Sequence, residues 1–264
     1  MDFKITEDLI AQIKEISKKA GKEILEIYKQ DIEVVSKDDD SPLTKADLAA
    51  HNLICSELGK ISTLPILSEE SAKIDWSERS GWNTYWLIDP LDGTKEFIKK
   101  NGEFTVNIAL IENHIPIFGV VYAPVLKACY WGVEGKGAFC EINGLTEQIK
   151  TTEPDSFSGL KVVGSRSHVS PDMEKFLVDF PENEILPKGS SLKLCMVADG
   201  SADIYPRLGL TSEWDTGAGQ AVVSAAGGIV CKLDGTPLLY NAEEDILNSY
   251  FLVLSKSLYT KMFC

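Results

Sequence analysis

Residues Trp86-Leu87-Ile88-Asp89-Pro90-Leu91-Asp92-Gly93-Thr94-Lys95-Glu96-Phe97 constrain this chain more than any other stretch. An apolar run ends in two aspartates three positions apart, followed at once by Gly-Thr. Trp86 to Ile88 read as the end of a buried strand, and Pro90 and Gly93 predict a turn directly after it. Two carboxylates on one turn repel each other unless a cation sits between them. Carboxylate and carbonyl oxygens suit a hard divalent ion such as Mg²⁺, Ca²⁺ or Mn²⁺. The backbone N–H groups of Gly93 and Thr94 would in turn suit an anion such as phosphate. Alone, such a turn is usually only a solvated loop, because Asp, Pro and Gly are common turn formers. Its weight comes from other segments.

The charge balance bears directly on that reading. A formal net charge of −14 argues against a nucleic-acid polymer as partner, which would need a basic stripe. It also means that an anionic ligand needs bound cations to reverse the local field. The 264 residues suffice for one large domain or two packed units, and 44% hydrophobic with 25% charged residues is an ordinary globular balance. No apolar run approaches the roughly 20 residues that cross a membrane, so no transmembrane segment is expected. Met1-Asp2-Phe3-Lys4 lacks the apolar core of a signal peptide. The six cysteines, Cys55, Cys129, Cys140, Cys195, Cys231 and Cys264, are scattered without a C-x-x-C pair, which predicts reduced thiols in a cytoplasmic protein. Three histidines and no H-E-x-x-H leave little for zinc.

Along the chain, Ile5, Leu9, Ile13, Ile16, Ala20, Ile24 and Ile27 repeat at helical spacing and predict an amphipathic helix. Lys37-Asp38-Asp39-Asp40-Ser41-Pro42 reads as an exposed loop, and a second helix is expected from Leu43 through Leu53, Ile54 and Leu58 to Gly59. Pro65-Ile66-Leu67 reads as a short strand ending in Glu69-Glu70. Phe104 to Glu112, Ile117 to Tyr122, Ala128 to Trp131 and Gly137 to Cys140 predict an antiparallel meander, with a hairpin turn at Asn143-Gly144. Polar residues Thr151 to Ser158 suggest a boundary, dividing the chain into units 1–152 and 153–264. Beyond it, strands are expected at Lys161 to Gly164, Ala202 to Tyr205, Ile229 to Lys232 and Tyr250 to Leu254. Helices are expected opening at Ser170-Pro171-Asp172, around Leu192 to Asp199, from about Asp215 to Ala226, and at the end of the chain.

Three acidic ends stand out. Glu69-Glu70 closes one short strand, Asp89 and Asp92 close another, and Trp214-Asp215-Thr216-Gly217-Ala218-Gly219 reads as an N-cap aspartate opening a small-residue helix. Singly, Glu69-Glu70 reads better as a surface pair and Asp215 as a simple cap. Two strands of one sheet could bring the first two together, and the set fits a two-metal phosphoryl-transfer site.

With Glu69-Glu70-Ser71, Asp89-Pro90-Leu91-Asp92-Gly93-Thr94 and Trp214-Asp215-Thr216-Gly217-Ala218-Gly219 in this order, the chain resembles the inositol monophosphatase superfamily over nearly its whole length. The resemblance implies a Mg²⁺-dependent, lithium-sensitive phosphatase of α/β class, a layered α-β-α-β-α sandwich. Its antiparallel-sheet N-terminal half and smaller α/β C-terminal half would hold the active site between them. It implies that Glu69, Asp89 and the Leu91 carbonyl hold one ion, and that Asp89, Asp92 and Asp215 hold a second; Mg²⁺ would be bound as two or three ions. Thr94 matches the water-activating threonine, with Asp47 of Thr44-Lys45-Ala46-Asp47 as its hydrogen-bonding partner. Ser68 stands where many members have glycine. In-line attack by an activated water follows, with no covalent intermediate.

Within the superfamily, Lys95-Glu96-Phe97 resembles the 3'(2'),5'-bisphosphate nucleotidases of sulfate assimilation. Gly164-Ser165-Arg166-Ser167-His168 resembles their adenylate-binding segment, implying contacts from Ser165 and His168; a plain loop histidine explains His168 equally well. Gly189-Ser190-Ser191-Leu192-Lys193 resembles their phosphate- and ribose-binding turn, implying Gly189 and Lys193, beside Gly93, Thr94 and Asp215. Arg207 in Tyr205-Pro206-Arg207 stands about where inositol phosphatases carry a hydroxyl-binding glutamate, and its planar fork suits a second phosphate, unless it serves a surface salt bridge. The implied substrate is adenosine 3',5'-bisphosphate, cleaved to AMP and phosphate, with 3'-phosphoadenylyl sulfate as a second. The alternatives are an inositol or other sugar monophosphatase and, from another class, a non-catalytic Mg²⁺-binding regulatory protein. Localisation is expected to be cytoplasmic; relatives peripheral on the inner membrane face leave that attachment open, as they do the oligomeric state.

Overall fold

A computed structural model describes residues 4–30, 42–71, 73–164 and 171–264. Of the loop expected at 37–42, residues 37–41 lie outside the described residues, as do the helix opener Ser170, Ser165 and His168, and Pro42 begins a helix instead.

The N-terminal periodicity forms helix α1 (Glu7–Tyr28), begun by Thr6, whose hydroxyl accepts the Leu9 N–H at 3.1 Å. Glu7 and Asp8 in its first turn complement the helix dipole. Helix α2 (Pro42–Ile61) starts at the proline itself, where a missing N–H costs nothing. Ile13, Ile16, Ala20 and Ile24 of α1, with Ala50, Ile54 and Leu58 of α2, bury one face of a seven-stranded sheet.

That sheet runs β1 (Ile66–Ser68), β2 (Thr84–Asp92), β3 (Thr105–Glu112), β4 (Ile115–Ala123), β5 (Ala128–Val133), β6 (Gly137–Ile142) and β7 (Leu145–Ile149) in spatial order. All pairings are antiparallel except β1 with β2. The expected meander is present, and the β6–β7 turn has Asn143 at φ +50° and Gly144 at φ +83°, the left-handed pair that tight hairpins require. Strand β7 escapes sequence reading because it is a polar, exposed edge with no buried face to pattern it. The interior strands are covered on both sides, so Val106 to Ile111 are all buried.

Four further strands and a short edge strand build a second sheet, in the order β11 (Gly228–Lys232), β12 (Phe251–Ser255), β10 (Ile204–Arg207), β8 (Lys161–Gly164), β9 (Glu184–Pro187). Between the two sheets lie α6 (Leu192–Ala198) and α7 (Glu213–Ala225), whose Leu194, Ala218 and Val222 share one core with Leu87 and Ala109 of the first sheet and Tyr205 and Phe251 of the second. The outer face of the second sheet packs with α8 (Lys256–Phe263) and with Phe176 of α5 (Pro171–Leu177). Two short helices, α3 (Trp76–Arg79) and α4 (Thr94–Ile98), flank β2. The layering is therefore α-β-α-β-α, as expected.

Helix α7 sits on the first sheet backbone to backbone. A Cβ on Gly119 would meet the Ala218 carbonyl oxygen at 2.5 Å, and one on Gly132 would meet Val222 Cα at 2.6 Å. Any side chain there would push the helix off the sheet. Among the described residues no helix is long and apolar enough to cross a membrane, and all six cysteines are free thiols.

A candidate metal and substrate cleft

The parallel pairing of β1 with β2 puts Ser68 beside Ile88, so Glu69 leaves the end of β1 beside Asp89 of β2. Sequence reading placed the end of β2 at Ile88, yet the strand runs through Pro90 to Asp92. What looked like a turn is a bulge. Asp89 pairs with Asn107 and Asp92 with Thr105, so three steps on β2 oppose two on β3. A proline is tolerated there because a bulge frees it from donating to the ladder. The extra residue also changes parity. Residues three apart on a regular strand face opposite sides, whereas the bulge lets Asp89 and Asp92 converge. The Leu91 N–H folds back onto Asp89 Oδ1 at 3.0 Å. Gly93 follows at φ +98°, its bare Cα lying against Glu103, Phe104 and Ser190, and Thr94 begins α4.

Asp215 comes from a third element, the start of α7. It is not the N-cap of α7 but its third residue; Ser212 caps, and its N–H donates to Asp215 Oδ2 at 3.0 Å. This reciprocal capping box and a hydrogen bond from the Thr211 hydroxyl orient the carboxylate. The start of α7 is held in turn by buried Glu213, which accepts the Asn241 N–H on both oxygens at 2.8 and 2.9 Å. Ligand oxygens of Asp89, Asp92 and Asp215 lie within 4.8 Å of one another.

The electrostatics of this cluster demand a counter-charge. Asp47, on α2 and 9% exposed, is pushed up to about 8 by burial and then by Glu70, Glu69 and Asp92. Burial, Asp92, Glu69, Asp215 and Asp47 hold the Asp89 carboxyl well above the usual range. Burial and Asp215 raise Asp92 to about 6, against the pull of Lys193 and the Ser191 N–H. Glu69 is driven upward by the surrounding protein and by Asp215, Glu70 and Asp92, with water at its exposed side damping the effect. Asp47 Oδ1 and Asp89 Oδ2 are buried without a hydrogen-bond partner among the described residues. Orphaned carboxylate oxygens among converging acids are what a hard divalent cation would satisfy, so these residues fit such an ion. Among the described residues no hydrogen bond joins Asp47 to Thr94, the pair that the resemblance implied; the unpaired Asp47 oxygen is the atom left over.

The same cleft, of about 500 Å³, is lined by Thr94, Lys193, Tyr205 and Arg207. The Ser191 N–H donates to Asp92 Oδ2 at 2.5 Å, and the Ser191 hydroxyl to Asn107 Oδ1 at 2.8 Å, fastening the start of α6 to the metal turn. Lys193 Nζ donates to the Ser190 carbonyl at 2.8 Å and stands 5.6 Å from the Tyr205 ring centre. The Gly189 N–H, expected to face phosphate, instead donates to Glu103 Oε2 at 2.9 Å. Arg207 ends β10; it donates to the Leu210 carbonyl, its Nε is buried without a partner, and no carboxylate pairs with it among the described residues. The salt-bridge explanation for Arg207 therefore has no support. Acids thus form one wall and cations the other. Glu103, Asn107 and Thr211 were missed in the sequence, where each is an isolated polar residue with no motif around it, and Ser191 was passed over inside the Gly189–Lys193 turn.

Residues 6–262 match the inositol monophosphatase family. The chain is 46% identical over 248 residues to the 3'(2'),5'-bisphosphate nucleotidase CysQ of Salmonella typhimurium, covering 93% of this chain and 99% of that one, and equally to that of Escherichia coli K12. Among solved structures, CysQ from Bacteroides thetaiotaomicron superposes with a TM-score of 0.84 at 43% identity, over 94% of this chain and 96% of that one. An inositol monophosphatase from Anabaena superposes at 0.75 with 25% identity, over 95% and 92%. With its acidic cluster, its layered fold and these relatives in agreement, the chain belongs to the inositol monophosphatase family, whose members are metal-dependent.

Proposed function

We propose that this protein is a phosphatase that removes the 3'-phosphate of adenosine 3',5'-bisphosphate, giving AMP and phosphate, with 3'-phosphoadenylyl sulfate as a second substrate. The observation that carries this reading is the cleft itself: converging Asp89, Asp92 and Asp215 face Lys193 and an Arg207 that has no carboxylate partner among the described residues. An acidic centre for the scissile phosphate and a guanidinium with no carboxylate partner among the described residues suit a substrate with two phosphates. The names of the curated relatives support the same choice.

In this reading Glu69, Asp89, Asp92, Asp215 and the Leu91 carbonyl hold Mg²⁺, as two or three ions. Bound ions would supply a more acidic water and stabilise charge that develops on phosphoryl oxygens. Thr94 orients the attacking water, and Asp47 receives its proton through the threonine hydroxyl. The Gly93 turn leaves room for phosphate beside the Thr94 N–H, at the start of α4. Lys193 and Arg207 bind the rest of the nucleotide. Division into units 1–152 and 153–264 and a cytoplasmic setting belong to the same proposal. Phosphate release measured with Mg²⁺ over adenosine 3',5'-bisphosphate, inositol 1-phosphate and sugar phosphates tests it. Preference for the inositol ester would replace the substrate; no release from any ester would leave a metal-binding protein without turnover.

A further inference from the structure

We propose that Glu103 is a positioning residue that locks the turn at residues 188–191, and through it Lys193, against the metal-bearing turn. The inference rests on the reading above, in which Lys193 faces substrate. Glu103 lies in the strap between α4 and β3 and is 7% exposed. Its own N–H donates to Asn101 Oδ1 at 3.0 Å, which fixes the strap. Its carbonyl oxygen packs under Gly93, where an added Cβ would stand 3.2 Å away. Its carboxylate reaches across to accept the Gly189 N–H at 2.9 Å and lies 3.4 Å from Lys188 Nζ. One residue thus touches both turns, the first by backbone and the second by side chain.

The second turn needs that hold. Ser190 has φ +50°, a left-handed conformation that a non-glycine residue keeps only where its surroundings impose it. Its neighbours are pinned on either side, Gly189 by Glu103 and Ser191 by Asp92 Oδ2. The Ser190 carbonyl, aimed by this strained shape, accepts Lys193 Nζ at 2.8 Å. Removing the Glu103 carboxylate strands a buried N–H and releases Lys188, and relaxation of Ser190 would carry Lys193 away from the cleft. Glu103 acts through Gly189 and Ser190, so its loss should weaken binding more than turnover.

Steady-state kinetics with adenosine 3',5'-bisphosphate at saturating Mg²⁺ test this, comparing Glu103→Ala, Glu103→Gln, Lys193→Ala and the double variant with Ala at both sites. Glu103→Ala is expected to raise KM about tenfold while kcat stays within about threefold, the cost of one buried donor left unpaired. Glu103→Gln, which keeps an oxygen for the Gly189 N–H, should stay within about threefold in KM. The double variant should be no more than about twofold worse in KM than Lys193→Ala alone, because both changes act through one side chain. Additive effects, or a loss in kcat at unchanged KM, overturn the positioning role. A raised KM in Lys193→Ala with none in Glu103→Ala overturns it while sparing the substrate reading; an unchanged KM in Lys193→Ala overturns both. Should Glu103→Ala fail to fold, Glu103→Asp takes its place and should exceed Glu103→Gln in KM. The reverse ranking defeats the proposal.

Discussion

The two walls of the cleft are built on different principles. The acidic wall stands on strand and helix ends whose geometry is imposed by sheet register and a bulge, and its side chains crowd one another. The cationic wall is sparse: Lys193 is aimed by the Ser190 carbonyl on a turn held by Glu103 and Asp92, and Arg207, at the end of β10, donates to the Leu210 carbonyl. Like charges concentrated on a rigid frame store repulsion that only a cation relieves. In the proposed function the separated cations select what is bound, which assigns chemistry and selectivity to different parts of the chain.

If that division holds, the walls respond differently to substitution. Asp89→Asn should have the largest effect, lowering kcat/KM on the order of a thousandfold at saturating Mg²⁺, since several kcal/mol of charge stabilisation depend on that wall. A loss below about tenfold would break the comparison by showing that the acids are not the reacting centre. Next in size, Arg207→Leu should raise KM for the bisphosphate by about tenfold to a hundredfold, the worth of a hydrogen bond to a charged group, and leave kcat within a few-fold. Hydrolysis of esters with a single phosphate should hardly change in that variant. Equal losses on both substrates would mean that Arg207 supports the fold rather than selects.

A third measurement concerns the frame of the acidic wall. Gly119→Val places a side chain where α7 rests, and overpacking of this kind costs about 1–3 kcal/mol. The midpoint of thermal unfolding should fall, and the Mg²⁺ concentration giving half-maximal activity should rise as Asp215 moves. An unchanged metal requirement would show that α7 does not set the site.

The last effect is one of pH. Asp47 ionises near 3.8 when unfolded but near 8 in the metal-free fold, so between those limits the folded chain binds more protons. Its contribution is therefore intact below about pH 4 and is lost as pH rises toward about 8; raised Asp89 and Asp92 act in the same direction. Without metal, the unfolding midpoint should be several degrees lower near pH 8 than near pH 5, and added Mg²⁺ should narrow the gap. A midpoint that climbs with pH in the absence of metal is incompatible with this account.

The asymmetry between the walls also explains what could be read in advance. Asp89, Asp92, Gly93 and Thr94 are neighbours in sequence, so their chemistry is visible as a motif, and Glu69 follows from the pairing of two apolar strands. The bulge was not visible. Proline and glycine signal a turn whether the strand ends or merely shifts register, and only pairing with Asn107 and Thr105 separates the cases. Asp215 was found but misassigned as a cap, because the Ser212 that precedes it by three is an equally good one. Glu103 escaped because its partners lie some 85 positions away in the chain, and distance of that kind leaves no local pattern. Strands β7 and β9 were missed for the opposite reason: exposed edges carry little apolar alternation.

The seating of α7 on Gly119 and Gly132 has a consequence for ion size. Where side chains separate a helix from a sheet, rotamers can adjust and the gap can widen. Here backbone rests on backbone, so the distance between Asp215 and the bulge is set by atomic radii and has little give. A larger ion such as Ca²⁺ takes more ligands at longer distances in pliant sites, whereas Mg²⁺ demands a short, regular shell. A wall that cannot retreat would penalise the larger ion, so that in the proposed function glycines outside the cleft would gauge ionic radius.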